Sequence, residues 1–152
     1  MGSFWRLTYH GGKWQTISGE PSVTIDVYDS DIATVEYRPA ESGSSGRFYL
    51  GTQPRDYFDD PSASDPVNLE VEAAGFAAWA RSHAGSSVSA EQILPLLATA
   101  DVEEPLDVFV DDTVARLLDA VGIPLPTEDD IDLGDHAPLR GPQPTPQFGN
   151  DV

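Results

Sequence analysis

Apolar and polar residues alternate twice between Ser22 and Arg38. Val23, Ile25 and Val27 interleave with Thr24, Asp26 and Tyr28; after Asp29-Ser30-Asp31, Ala33, Val35 and Tyr37 interleave with Thr34, Glu36 and Arg38. Period two marks a strand with one dry face, and an Asp-Ser-Asp triplet is turn chemistry, so an antiparallel hairpin is predicted. Phe4 to Tyr9 and Trp14 to Ile17, joined by His10-Gly11-Gly12-Lys13, read as two further strands. Arg47 to Thr52 reads as a fifth, with Phe48 and Leu50 on its dry side, and Ala40 to Gly46 as a mobile Ser/Gly loop. The expected sheet is a β-meander of about five strands. Such a sheet needs a cover over its dry face.

The period then changes. Asp65-Pro66 reads as a cap followed by a first-turn proline, opening a helix to about His83 with Leu69, Ala73, Phe76, Ala77 and Ala80 on one face. Ser89-Ala90-Glu91-Gln92 fits a capping box, and Pro95 predicts that the helix it opens is short or bent. Val110, Val114, Leu117, Leu118 and Val121 give the clearest helical stripe, ended by Gly122 with Ile123 folding back. The fold class expected is α+β: strands over 1–52, about three helices over 66–123 packed on one sheet face, and a domain spanning 1–126. Residues 127–152 hold six acids and four prolines with little apolar periodicity, so an acidic, disordered or extended tail is expected.

Charge changes the picture most. The chain carries 26 acidic and 8 basic residues, a formal net charge of −18. By position, residues 1–60 hold 9 acids and 5 bases (−4), 61–126 hold 11 and 2 (−9), and 127–152 hold 6 and 1 (−5). A surface of this sign repels nucleic acid and anionic membranes and draws cationic partners. An alternative source of the charge is general: arginine far above lysine with abundant Ala, Gly and Pro suits a GC-rich genome, and a salt-adapted cytoplasm favours surface aspartate. No apolar run approaches the ~18 residues of a membrane span. The first residues lack the basic start and apolar core of a secretory signal, and the 0 cysteines exclude disulfides and thiolate chemistry. A cytoplasmic location is the expectation.

Candidate chemistry is sparse. His10-Gly11-Gly12 resembles an HGG-type oxyanion loop, but no Gly-x-Ser-x-Gly elbow accompanies it, and Gly43-Ser44-Ser45-Gly46 has the wrong spacing. His83 near a helix C-terminus is accounted for by the helix dipole. Asp111 and Asp112 suit the first turn of their helix for the same reason, better than they suit an acid/base dyad. Glu128 to Asp135 fails as a calcium loop, because with Gly134 at the sixth position Ile131 and Leu133 fall where oxygen ligands are needed. No metal, cofactor or phosphate loop is expected.

Aromatics concentrate in the first sixty residues, and one helical layer cannot cover both faces of a sheet. Some of Phe4, Tyr28 and Tyr49 are therefore expected outward, beside carboxylates. The function expected is non-enzymatic: an acidic interaction module holding a basic protein partner, as an inhibitor, immunity protein or antitoxin does. Its contact residues are expected among Tyr28, Tyr49, Asp101, Glu103, Glu104, Asp111 and Asp112. A structural subunit of a phage-like or secretion assembly, docking through its tail, is the alternative, and an enzyme using carboxylates or His10 the third. Oligomeric state and the partner's identity stay open at this point.

Overall fold

In the computed structural model, which describes residues 4–16, 19–40, 43–60, 62–64, 67–97 and 109–135, the expected α+β organisation is present. Five antiparallel strands, β1 (Trp5–His10), β2 (Lys13–Gln15), β3 (Ser22–Tyr28), β4 (Ile32–Arg38) and β5 (Arg47–Gly51), form one sheet in the order β2-β1-β3-β4-β5. The order corrects the expected meander: β3 pairs with β1, not with β2. The reason lies in the shortness of β2, which has only three residues, and in the contacts that Gly19 and Pro21 make at the end of β1. His10 fixes the crossing from β2 to β3. Its Nδ1 donates to the Pro21 carbonyl at 2.9 Å, while the Gln15 amide donates to the His10 carbonyl at 2.6 Å. Gly19 passes so close that a β-carbon there would lie 2.7 Å from His10 Nε2.

The strand register stacks the dry residues in rows. Trp5, Val27, Ala33 and Leu50 form one, Leu7, Ile25, Val35 and Phe48 the next, and Tyr9, Val23 and Tyr37 the third. All but Tyr9 are buried. Five α-helices follow among the described residues: α1 (Pro54–Tyr57), α2 (Leu69–His83), α3 (Ala90–Ile93), α4 (Val110–Val121) and α5 (Glu128–Asp135). Asn68 caps α2, its Oδ1 accepting the Val71 N–H at 3.1 Å; the predicted cap at 65–66 lies outside the described residues. From α2, Ala73, Phe76, Ala77 and Ala80 face the sheet, with Phe76 5.3 Å from Phe48 edge to face. The Ser89 N–H donates to Gln92 Oε1 at 2.9 Å, and Pro95 turns the helix that follows into a 3₁₀ turn over Leu94–Leu96. α4 ends as its sequence predicts: Gly122 takes φ 73°, and the Ile123 N–H returns to the Leu118 carbonyl at 3.0 Å.

Two loop expectations need correction. The acidic tail is not extended from 127 onward, because α5 forms there. Thr127 opens it: its N–H donates to Asp130 Oδ2 at 2.9 Å, and the Asp130 N–H returns to Thr127 Oγ1 at 3.3 Å. Three acids in its first turn favour the helix dipole, and Ile131 packs on the core. Residues 136–152 lie outside the described residues. The second correction concerns Ala40 to Gly46, expected to be mobile. Its described part is tied to α2 by Glu72, which is 3% exposed. Glu72 accepts from the Ser45 N–H (2.8 Å), the Ser45 hydroxyl (3.1 Å), the Gly46 N–H (3.2 Å) and the Tyr37 hydroxyl (2.7 Å). A carboxylate with four donors is a stable guest in a core.

The opposite sheet face is polar. Thr8 and Thr24 share a hydrogen bond at 2.8 Å, Arg6 faces Asp26 at 3.8 Å, and Arg47 pairs with Glu36. The two ion pairs face water and the buried threonines satisfy each other, so this face needs no second helical layer. At the end carrying the β3–β4 turn, that face becomes aromatic.

Candidate functional site

The β3–β4 connection is the three residues Asp29, Ser30 and Asp31, across which Tyr28 pairs with Ile32. The Asp31 N–H donates to the Tyr28 carbonyl at 3.0 Å, and Asp29 and Ser30 between them take φ 51° and 54°. Left-handed backbone at both central positions matches the right-handed twist of the strands, and aspartate tolerates it better than most residues. The turn sets Tyr28 at the last position of β3, on the polar face and 43% exposed.

Three further rings gather on it. Phe4, one residue before β1, meets Tyr28 at 5.2 Å and 83°. Tyr57 and Phe58, delivered by α1 and the residue after it, meet it at 6.1 Å and 5.8 Å, again near perpendicular. Tyr57 and Phe58 touch each other at 4.9 Å and 86°. Edge-to-face packing satisfies ring quadrupoles and holds the four side chains in one arrangement. All four remain exposed, Phe58 at 50%. A contiguous exposed aromatic cluster is uncommon on a solvated surface.

Acidic residues adjoin it in the sequence, and Asp31 is bonded to it. The Tyr57 hydroxyl donates to Asp31 Oδ2 at 3.1 Å, and this bond, with the adjacent negative charge, raises the phenol above its ordinary pKa. Asp59 follows Phe58 with φ 51°. Asp60 accepts from the Ser62 hydroxyl (2.7 Å) and N–H (2.9 Å), which hold its carboxyl below the usual carboxylate range. Asp29, Ser30 and Asp59 are the three non-glycine positions of left-handed backbone among the described residues. Two of them place an acid beside the rings where glycine would be relaxed.

The α4 N-terminus docks at the same turn, the Val110 N–H donating to the Ser30 carbonyl at 2.8 Å. It brings Asp111, Asp112 and the exposed Phe109 to this end of the sheet. Asp112 is exposed. Asp111 turns inward: Oδ2 lies 3.5 Å from the Trp5 indole N–H, and Oδ1 is buried with no hydrogen-bond partner among the described residues. Tyr49, expected at the surface, is a correction: it sits on the polar face yet is 4% exposed, because Ile32 and Val67 close over it. Asp101, Glu103 and Glu104 lie outside the described residues. Tyr28 and Asp112 therefore lie at the same end of the sheet, where Phe4, Tyr57, Phe58 and Asp31 gather around Tyr28. The signal that could have found the additions was the run Tyr57-Phe58-Asp59-Asp60, an aromatic pair beside acids inside a proline-punctuated connection.

No family model, curated protein or solved structure matches this chain.

A concavity of about 240 Å³ lies at the opposite end of the sheet, lined by Tyr9, His10, Pro21, Trp79 and His83 with the Gly11–Gly12 turn. It unites two of the three histidines, His83 lying 5.7 Å from Trp79, but its lining contains no carboxylate to orient either imidazole. His10 already spends Nδ1 on Pro21. Both rings are accounted for by packing and by the loop crossing. Among the described residues no three His, Asp or Glu side chains converge as metal ligands, and Glu128 to Asp135 is helical where a calcium site would need a loop. No helix among the described residues is long and apolar enough to cross a membrane.

Proposed function

We propose that this chain is a non-enzymatic interaction module that holds a basic protein partner, in the manner of an inhibitor, immunity protein or antitoxin, and that the Tyr28 end of the sheet is its contact face. The observation that carries the reading is the coincidence of four exposed, mutually packed rings with Asp29, Asp31, Asp59 and Asp60. Interface cores favour aromatic anchors, and rim charges of one sign steer a partner of the other. The net charge of −18 extends that attraction beyond the contact itself.

The alternative, a docking arm formed by the tail, draws less support, since α5 lies against β1 and β2 of its own sheet. The reading is tested by capture from the native host lysate at low and high salt, with wild-type protein and with Tyr28→Ser. A basic protein retained by the wild type, released by salt and lost with the variant supports it. A retained set indifferent to both salt and substitution overturns it.

A further inference from the structure

We infer that the Tyr28 cluster selects arginine over lysine in the partner it holds, seating a guanidinium flat on an exposed ring while carboxylates take its edge. The inference rests on the interaction reading above and adds the chemistry of the group recognised.

The cluster joins two kinds of negative potential. The faces of Tyr28, Phe4, Tyr57 and Phe58 carry the negative side of the aromatic quadrupole, and they are fixed by edge-to-face contacts at 4.9–6.1 Å. Asp31 is fixed beside them by the Tyr57 hydroxyl at 3.1 Å, with Asp29 two residues away across the same turn. A purely coulombic site for a cation needs the aspartates alone, and four half-exposed rings beside them would then serve no purpose.

The two basic side chains use such a surface differently. An ammonium is a compact, strongly hydrated charge that keeps its water and pairs with carboxylate as a point. A guanidinium is planar and weakly hydrated, so it can stack on a ring and still present N–H groups along its edge to a carboxylate. Rings and acid together therefore favour arginine, whereas acid alone would scarcely discriminate. No deep pocket is needed, because stacking uses an open ring face.

The test uses the full chain and two probes, a short glycine-spaced arginine peptide and its lysine counterpart of equal length and charge. Binding is followed by amide chemical-shift titration at low salt. The arginine peptide is expected to bind roughly two- to fivefold tighter, the range of one exposed cation–π contact. Its largest shifts should fall at Phe4, Tyr28, Asp31 and Phe58. Tyr28→Leu should remove the preference while leaving the salt-sensitive binding of both peptides, and Phe58→Ser, at a half-exposed position just past α1, should reduce it. Equal affinity for the two peptides overturns the arginine inference and leaves the charge-steered reading standing, as does a preference that survives both substitutions. Failure of both peptides to shift this end of the sheet overturns both.

Discussion

The Tyr37 hydroxyl donates to Glu72 Oε1 at 2.7 Å inside the core, joining β4 to the first turn of α2. The same carboxylate holds the Ser45 and Gly46 N–H groups, so one side chain ties sheet, helix and loop together. Removing the phenol deletes one charge-assisted hydrogen bond, and Tyr37→Phe is expected to cost about 1.5–3 kcal/mol. Glu72→Ala should cost more, because it removes at once the acceptor shared by the Tyr37 hydroxyl, the Ser45 hydroxyl and two backbone N–H groups. Urea midpoints at constant slope give both values. Equal losses for the two variants would contradict the tie.

Gly75 is required by the same junction. A methyl group there would collide with the Tyr37 hydroxyl and come within 3.0 Å of Ser44. Alanine is worth about 1 kcal/mol more than glycine inside a helix, so propensity alone predicts stabilisation by Gly75→Ala. The prediction is the reverse, a loss of about 1–3 kcal/mol from overpacking. Introducing the same substitution in a Tyr37→Phe background should recover part of the loss, which thermal melts of the four proteins will show.

The acidic helix after Pro126 is expected to stabilise the domain through Ile131. Ile131 is half-buried, so Ile131→Ala should cost about 1–2 kcal/mol, below the ~2–5 typical of fully buried aliphatic residues. Deleting 127–152 should lower the melting temperature and perturb Trp14 fluorescence, since Trp14 sits at that edge with its indole N–H on the Pro124 carbonyl at 2.7 Å. An unchanged melting temperature would show that α5 contributes nothing.

Tyr57 provides a spectroscopic handle on the proposed contact face. Its phenol is raised above the ordinary value chiefly by its hydrogen bond to Asp31. A raised folded value means the native phenol holds its proton more tightly than the unfolded one. The associated stability is present below the unfolded pKa and is lost as pH rises through the folded one, on the alkaline side. Tyrosinate absorbance, taken as the difference between wild type and Tyr57→Phe, should show this late titration. Asp31→Asn should move it down. No movement would place Asp31 away from the hydroxyl.

Much of this was legible in the chain. Val23, Ile25, Val27 and their counterparts on β4 alternate without interruption, and the stripe from Val110 to Val121 is closed by a glycine, so these elements were named correctly. The strand order was not, because three residues of β2 carry no register information and the crossing depends on His10 and Gly19. α5 was missed because its surroundings are acidic and proline-rich, although Thr127 and Asp130 hold the spacing of a capping box. Glu72 stands among Ala73, Phe76 and Ala77, a buried carboxylate whose partners come from distant segments that no local pattern connects. At the contact face Tyr28 followed from strand alternation, whereas the burial of Tyr49 depends on Val67, which reaches it only once the 52–68 connection has folded over the sheet.

The placement of charge, more than its total, is what the account stands on. Asp29→Asn/Asp59→Asn keeps residues that accept left-handed backbone and removes two charges beside the rings. Glu20→Gln/Asp119→Asn removes two exposed charges elsewhere, giving the same net charge. The deciding measurement is the affinity of both variants and the wild type for the captured basic partner at low salt. The account predicts a marked loss for the first pair and near-wild-type binding for the second; equal losses, or a greater loss for the second pair, would contradict it.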